Sequence, residues 1–526
     1  MAARQSKIIV IGAGIGGLTT AALLAQAGHQ VTVLEGQAYP GGCAGTFFHK
    51  SYRFEAGATV AGGFQPGGPH ALIESRLGIK FPVTPHDPAW VVHLPDRSIS
   101  LTRDNSDVLA KFPHSQAFWE EQSSLADLCW RMSGQGLPWP PQDLHEFQWL
   151  ASTALRNFPH DLRIAPFAFA TAADWLRWRG LANDPAFVRF VDAQLLIAAQ
   201  TTSSYANAIY SATALDLARQ GVCHVRGGIG GLAETLADAV EAFGGEVLYQ
   251  RHVRRILAEN GRAVAVEVEH RRQRTRLNAD FVIANLTPWS LDELLGDASP
   301  VLLQRETQQR RHGSGAFVLH LGVREEAFSA EFPDHHQVLQ SIDEPMGEGR
   351  SIFMSISPRW DVTRAPANHR AVTITTHTEV GPWWELLSDE PAYHERKAVY
   401  TEKMLTLVER ILPGFRQHIA LQLPGTPVTY QFYTGRHLGM VGGFPQGSLF
   451  AARSPRVGIS NVRLVGDSVF PGQSTAGVSL GAIRVAEDVL RRVGIAQPRL
   501  PLQHPINDRG DTSQQINPMA AEKSAT

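Results

Sequence analysis

Two segments near opposite ends of the chain predict an α/β protein built around a Rossmann-like dinucleotide-binding domain. The first, KIIVIGAGIGGLTTAALLAQAGHQVTVLEG at residues 7–36, reads as strand, glycine turn, helix, second strand and a terminal acid. The second, NVRLVGDSVFPGQSTAGVSLGAIRVAEDVL at 461–490, reads as a strand ending in Gly-Asp, a Pro-Gly loop and a helix. One dinucleotide long enough to touch both points to FAD rather than NAD. A third observation is the alternating run AVAVEVEH just after Asn260-Gly261, a strand signal behind a strong turn signal.

Taken in order, Lys7 to Ile11 is a short apolar run of the kind found in buried parallel strands. Gly12, Gly14 and Gly17 complete G-x-G-x-x-G. The first permits a tight turn, the second lets the backbone approach a pyrophosphate, and the third lets the following helix pack closely on the strand. That helix is expected from about Ile15 to Ala27, with Gly28 closing it. Its N-terminus carries free N–H groups and a partial positive charge that suit a phosphate. Val31 to Leu34 is the second strand, and Glu35 stands at its end, at about the spacing expected of an acid that binds a ribose.

From Tyr39 the chain reads YPGGCAGTFFHKSYRFEAGATVAGGFQPGG. Together with LVGDSVFPGQSTAGVSLGAIRVA, this resembles the phytoene desaturase and carotenoid isomerase group of FAD-dependent oxidoreductases. Within the group it is most similar to carotenoid 3,4-desaturases of the cyanobacterial type. The resemblance runs from about residue 7 to 492 and is thin between about 130 and 220. It implies the GxGxxG-type architecture shared by amine oxidases and phytoene desaturases. A discontinuous FAD-binding domain (1–70, 222–290 and 441–496) would sit against a discontinuous α+β substrate domain (71–221 and 291–440). The latter would carry a helical lid over about 112–220. Residues 497–526, polar with scattered Pro, are expected to be a disordered tail.

The resemblance also implies roles. Gly12, Gly14 and Gly17 would hold the FAD pyrophosphate and Glu35 the adenosine ribose, while Gly41 and Gly42 would let the chain cross near the pyrophosphate. In many relatives an Arg follows this Gly-Gly. Here it is Cys43, which argues against amine oxidase chemistry and removes one cationic phosphate contact. Val253 would touch the adenine side through its backbone, and Gly466 and Asp467 would meet the ribityl and phosphate portion. A carboxylate repels phosphate, so hydroxyls or a backbone N–H are the expected partners of Asp467. Gly477 and Val478, opening the last helix, would place N–H groups near the flavin pyrimidine edge, where a helix N-terminus stabilises the charge of reduced flavin.

Composition narrows the remaining classes. A length of 526 residues predicts two or three domains, and 43% apolar content a packed protein. A formal net charge of −2 gives no bulk attraction to nucleic acid. Cys43, Cys129 and Cys223 form neither a zinc pattern nor a disulfide framework, so a reducing compartment is expected. No signal peptide is read, and no apolar run reaches the length of a spanning helix. No metal site is expected. His335-His336 lacks a third ligand at metal spacing and reads as a surface loop. Trp149, Trp175, Trp178 and Phe190 read as helix core rather than tunnel wall. RRQRTR at 271–276 reads as a solvated edge strand. HVRGGIGGLAETLADAV at 224–240 carries G-x-G-x-x-A at Gly228, Gly230 and Ala233. It is not read as a second dinucleotide site, for want of a clear preceding strand or a terminal acid. YTGRHLGMVGGFPQG at 433–447 is Gly-rich, and the family resemblance implies that it approaches flavin or substrate.

No catalytic residue is named, and none is required if the flavin carries the chemistry. The resemblance implies a carotenoid or other long apolar polyene as substrate. Hydride would pass to flavin N5 and a C=C bond would form, with oxygen or a quinone as final electron acceptor. It also implies a cytoplasmic protein peripherally attached to a membrane. A carotenoid cis–trans isomerase using reduced FAD and a polyene saturase are the alternatives. A Rab-escort-like lipid-binding protein is the contrasting class, against which the intact glycines, Glu35 and Gly466-Asp467 argue.

Overall fold

The structure, a computed structural model, describes residues 5–134, 136–158, 163–309, 313–444 and 446–494. The tail expected from 497 onward lies outside the described residues.

Strand Lys7–Ile11 pairs in parallel with Gln30–Leu34 on one side and Phe281–Ala284 on the other. Glu246–Leu248 and Val462–Leu464 complete a five-stranded parallel sheet whose central strand comes from the N-terminus and one of whose edges comes from the C-terminal region. A strand covered on both faces cannot show simple alternation, because every position is apolar. Its side chains are divided between two cores instead. Ile8 and Val10 join a core with helices Ile15–Gln26, Gly230–Ala242 and Ser474–Arg492, whereas Ile9 and Ile11 face a core under a three-stranded meander. The meander is His252–Glu259, Arg262–His270 and Gln273–Asn278. Asn260 and Gly261 both have positive φ (50° and 72°), the conformation that a two-residue hairpin turn requires. The basic run does form the exposed edge strand expected of it.

A seven-stranded mixed sheet stands beside this assembly. Its order is Ile419–Gly425, Ser314–Arg324, His369–Glu379, Ser351–Ile356, His335–Leu339, Val91–His93 and Ser98–Ser100. One face packs on helix Glu390–Glu409 through Phe317, Leu319, Met354, Val372, Ile374 and Met404. The other face, with Ala316, Phe353, Thr375 and His377, turns toward the cavity described below. A separate aromatic core holds Phe118, Trp119, Trp175, Phe187 and Phe190 among the helices between 106 and 220. Trp175 and Phe190 are core as expected, Trp149 is partly buried, and Trp178 is exposed, contrary to the sequence reading.

The last helix is tied down by charge. Asp488 is ion-paired with Arg463 (2.6 Å), Arg491 (2.7 Å), Arg456 (3.2 Å) and Arg492 (3.3 Å), and Arg463 is almost fully buried. Arg456 also holds Asp143 (2.6 Å), the N-cap of helix Leu144–Asn157.

Two sequence readings need correction. His335 and His336 lie not in a surface loop but in strand His335–Leu339, all five residues of which are buried. Burial holds the His335 imidazole well below its ordinary pKa and lowers that of His336 to about 3. The segment at 224–240 is in fact preceded by a buried strand, Val222–Val225. That strand belongs to a small antiparallel sheet, and side chains crowd the glycines after it. A Cβ at Gly228 would lie 2.6 Å from Thr46 and one at Gly230 2.5 Å from the same residue, so these glycines let the turn pack against Thr46.

Candidate flavin and substrate site

One cavity of about 680 Å³ runs from the ends of the parallel strands to the inner face of the seven-stranded sheet. Gly12, Gly14, Glu35, Gly41, Gly42, Val253, Gly466, Asp467 and Val478 all line it. Gly17 and Gly477 do not, and each has a different task.

The glycine turn is a cradle without room for side chains. A Cβ on Gly14 would lie 2.5 Å from Asn285 Nδ2, and one on Gly17 2.3 Å from the Gly12 carbonyl oxygen. Gly17 therefore sets the helix against the turn and leaves ligand contact to others. Gly41 has φ +115°, a region closed to side chains, and its N–H donates to the Ala13 carbonyl at 2.8 Å. The Gly41-Gly42 loop is thus fastened alongside the first turn.

Glu35 is buried at the end of its strand. Its two carboxylate oxygens accept from the N–H groups of Ala13 (2.7 Å) and Gln37 (2.8 Å). Each oxygen keeps a lone pair for a further donor. Burial pushes the carboxyl above its usual range, against the pull of these N–H donors.

At the other strand ends, the last helix begins at Ser474, three residues before Gly477. The Gly477 N–H donates to Ser474 Oγ at 3.1 Å, so it is already committed. Ser474, Thr475 and Ala476 face the cavity in its place and bring the positive end of the helix with them. A Cβ on Gly477 would meet the Gly472 carbonyl oxygen at 2.3 Å, so the residue holds the Pro-Gly loop against the helix.

Two residues that sequence reasoning missed complete the site. Asn285, just past strand Phe281–Ala284, packs within 4 Å of where a Cβ would stand on Gly12, Gly14, Gly16, Gly17 or Gly466, and so joins both halves of the cradle. Its signal was only its place at a strand end. Arg436, in the Gly-rich stretch at 433–447, ion-pairs with Asp467 at 3.0 Å and reaches Cys43. Burial opposes its charge, but Asp467 holds its pKa above the usual value. Asp467 therefore has a guanidinium partner rather than only hydroxyls or backbone N–H groups. A cation thus stands beside Cys43 from another loop, held by Asp467 and by the Met440 carbonyl (2.7 Å), and Tyr433, Thr434, Gly435 and Gly442 from that stretch also line the cavity. Burial raises the Cys43 thiol, keeping it neutral.

The far wall consists of Trp90, Ile197, Phe353, Thr375 and His377. His377 meets Gln200 Oε1 at 2.8 Å, and burial lowers its pKa to about 4.

Residues 15–490 match the family model described as flavin containing amine oxidoreductase. The chain belongs to this family. It is 29% identical over 514 residues to a chloroplastic prolycopene isomerase of Daucus carota, covering 94% of this chain and 81% of that one. It is 23% identical to a neurosporene-forming phytoene desaturase of Cereibacter sphaeroides, covering 94% and 98%. Among solved structures, an oxidoreductase from Methanosarcina mazei shares the fold with a TM-score of 0.62 at 18% identity, covering 91% of this chain and all of the other. A putrescine oxidase has a TM-score of 0.60 at 16% identity, covering 93% and 100%. The protein is an FAD-dependent oxidoreductase.

The cradle fits the family's FAD. It offers side-chain-free backbone at Gly12, Gly14, Gly41 and Gly42, a buried carboxylate with spare lone pairs at Glu35, a helix N-terminus at Ser474 and a buried cation at Arg436. Glu35→Ala is expected to weaken FAD binding by about 1.5–3 kcal/mol, the worth of hydrogen bonds to a charged group. Flavin retained per protein after extensive dialysis reads the effect, and unchanged affinity removes Glu35 from the site. Among the described residues, no helix is long and apolar enough to cross a membrane.

Proposed function

We propose that the protein acts on a C–C bond of a carotenoid or similar polyene, and that the reaction is a desaturation of the 3,4 type. The observation that carries this reading is the continuity of the cavity. The glycine cradle, Asp467 and Arg436 open directly onto a wall of Trp90, Phe353 and Ile197, so a dinucleotide and an apolar chain can meet end to end. The bound flavin would supply hydride acceptance, and the protein's part is to position and to exclude water. Gly12, Gly14, Glu35, Gly41, Gly42, Val253, Gly466, Asp467 and Val478 form the proposed cofactor contacts, with Gly17 and Gly477 fixing the turns behind them. The boundaries given above for the two discontinuous domains belong to the same proposal.

Membrane contact supplies the apolar substrate in this reading. Helix Leu144–Asn157 exposes Leu144, Phe147 and Leu155, and exposed Phe169 and Phe450 stack on one another at 4.9 Å. Oxygen or a quinone is the proposed acceptor. Cis–trans isomerisation on reduced FAD is the second reading, favoured by the higher identity to prolycopene isomerases than to the phytoene desaturase.

Anaerobic incubation of FAD-loaded protein with candidate carotenoids separates the two. Flavin bleaching with a red-shifted polyene is the expected result. Product formed only after pre-reduction and at unchanged mass would replace desaturation by isomerisation, and a gain of two hydrogens would identify a saturase. No change in any carotenoid overturns the substrate class.

A further inference from the structure

Three histidines far apart in sequence converge beside the far wall of the cavity. His86 ends strand Val83–His86, His224 lies on its partner Val222–Val225, and His335 opens the buried strand His335–Leu339. One ring nitrogen from each lies within 4.8 Å of the others. The ring centroids are 4.1 Å (His86–His224), 5.2 Å (His224–His335) and 5.1 Å (His86–His335) apart.

The outer hydrogen bonds fix which nitrogens are free. His86 Nδ1 meets the Pro88 carbonyl at 3.2 Å, and a carbonyl only accepts, so Nδ1 carries the proton and Nε2 bears a lone pair. His335 Nδ1 meets Ser355 Oγ at 2.9 Å. That hydroxyl donates to Thr59 Oγ1 at 2.7 Å, so it accepts from His335, whose Nε2 is again left with a lone pair. Both Nε2 atoms are buried without a hydrogen-bond partner, and His335 is only 3% exposed. Two bare, buried acceptors side by side cannot satisfy one another, because each needs a donor or a cation. The carboxylate of Asp334, 3.0 Å from His224 Nε2, places negative charge at the rim. The nearest buried guanidinium groups are already paired, Arg370 with Asp334 (2.6 Å) and Arg364 with Glu55 (3.3 Å). Arg103 also faces His86.

We propose that His86, His224 and His335 bind a divalent transition-metal ion of the zinc class. Three imidazoles without a thiolate suit zinc and its first-row neighbours, and ligating histidines characteristically give their second nitrogen to a carbonyl, a hydroxyl or a carboxylate. The rings stand stacked, 21° (His86–His224) and 28° (His224–His335) from parallel, so bonds of about 2.0–2.1 Å in the plane of each ring require the imidazoles to turn about their side-chain torsions until the lone pairs converge. The ion would clamp the small antiparallel sheet onto the seven-stranded sheet. Through Ser355 and Thr59, it would also steady the cavity wall, which Thr59 lines.

Full-length holoprotein, freed of metal by a chelator and dialysed, is loaded with Zn²⁺ and its metal content measured by elemental analysis. One equivalent is expected, with a rise in Tm that further chelator reverses. His86→Gln, His224→Gln and His335→Ala should each lose the equivalent while retaining FAD, which reports a folded chain. Asp334→Asn should weaken Zn²⁺ about 10- to 100-fold. Wild-type protein that takes up no stoichiometric Zn²⁺ overturns the proposal, as does one equivalent retained by all three histidine variants. Should the variants fail to fold, Co²⁺ on the wild type reads the ligands directly. Intense visible bands of a four-coordinate nitrogen site support the assignment, and the weak bands of a hydrated ion overturn it.

Discussion

Gly17→Ala is expected to yield a protein that emerges from purification without FAD. The added methyl would stand 2.3 Å from the Gly12 carbonyl oxygen, well inside any real contact. The obstacle is backbone, so no side chain can swing aside. Helix Ile15–Gln26 cannot retreat either, since Leu18, Ala21, Ala22 and Leu24 are wholly buried against its neighbours. Overpacking of this kind costs about 1–3 kcal/mol even where side chains alone must move. Here relief requires displacing the turn, and with it the N–H groups proposed to meet the pyrophosphate. Flavin absorbance per protein after desalting measures the loss, and circular dichroism shows whether the chain still folds. Gly28→Ala is the matched control. Gly28 has φ +87° but open space around it, so only about 1 kcal/mol of backbone strain is expected and FAD should be kept. Wild-type flavin content in Gly17→Ala would discard the close-packing argument.

The second large effect concerns stability. Asp488→Ala should destabilise the fold by about 3–5 kcal/mol, the usual consequence of removing one partner from a buried ion pair. Arg463 would be left charged and buried, and burial already presses its pKa down against the support of Asp488. The midpoint of denaturant unfolding reads the change, and a midpoint within error of wild type would show that the other carboxylates take over. Acid should act in the same direction. Burial opposes the Asp488 charge, but Arg463 and its neighbours outweigh it and hold the carboxyl far below the ordinary range. A carboxylate depressed on folding contributes its full stabilisation above its unfolded value of about 3.9 and loses it as pH falls toward the folded value. The difference between wild type and Asp488→Ala should therefore be full at neutral pH and shrink progressively in acid.

What could be read from the chain follows from how local each signal was. Strand Lys7–Ile11, the glycine turn, helix Ile15–Gln26 and Glu35 lie in one continuous segment, where period, spacing and turn chemistry reinforce each other. Asn260-Gly261 was legible for the same reason. Asn285 was not, because a single Asn after FVIA becomes informative only once Gly12 and Gly466 are seen on either side of it. Arg436 was hidden similarly. Its partner Asp467 is a neighbour through the fold, and the absence of Arg at 43 could be read while the cation that stands beside Cys43 from another loop could not. His335 and His336 were read as a surface loop for want of a third ligand at metal spacing, but the strand is buried, and the histidines that approach His335, His86 and His224, are brought there by the fold. The last helix was placed three residues late, because Gly477 looks like a start while Ser474 provides the hydroxyl that caps its N–H.

The edge strand Val462–Leu464 carries a demand that falls on synthesis. The ribosome releases strand Lys7–Ile11 some hundreds of residues before the Gly-Asp and helix that close the other half of the cradle. At about 5–20 residues per second, strand Phe281–Ala284 waits on the order of ten seconds or more for Val462–Leu464, the partner that covers its outer edge. A chain broken off before residue 461 would lack Gly466, Asp467 and the helix end at Ser474, and is expected to hold no cofactor. Retention of flavin would in this sense report synthesis at least through helix Ser474–Arg492.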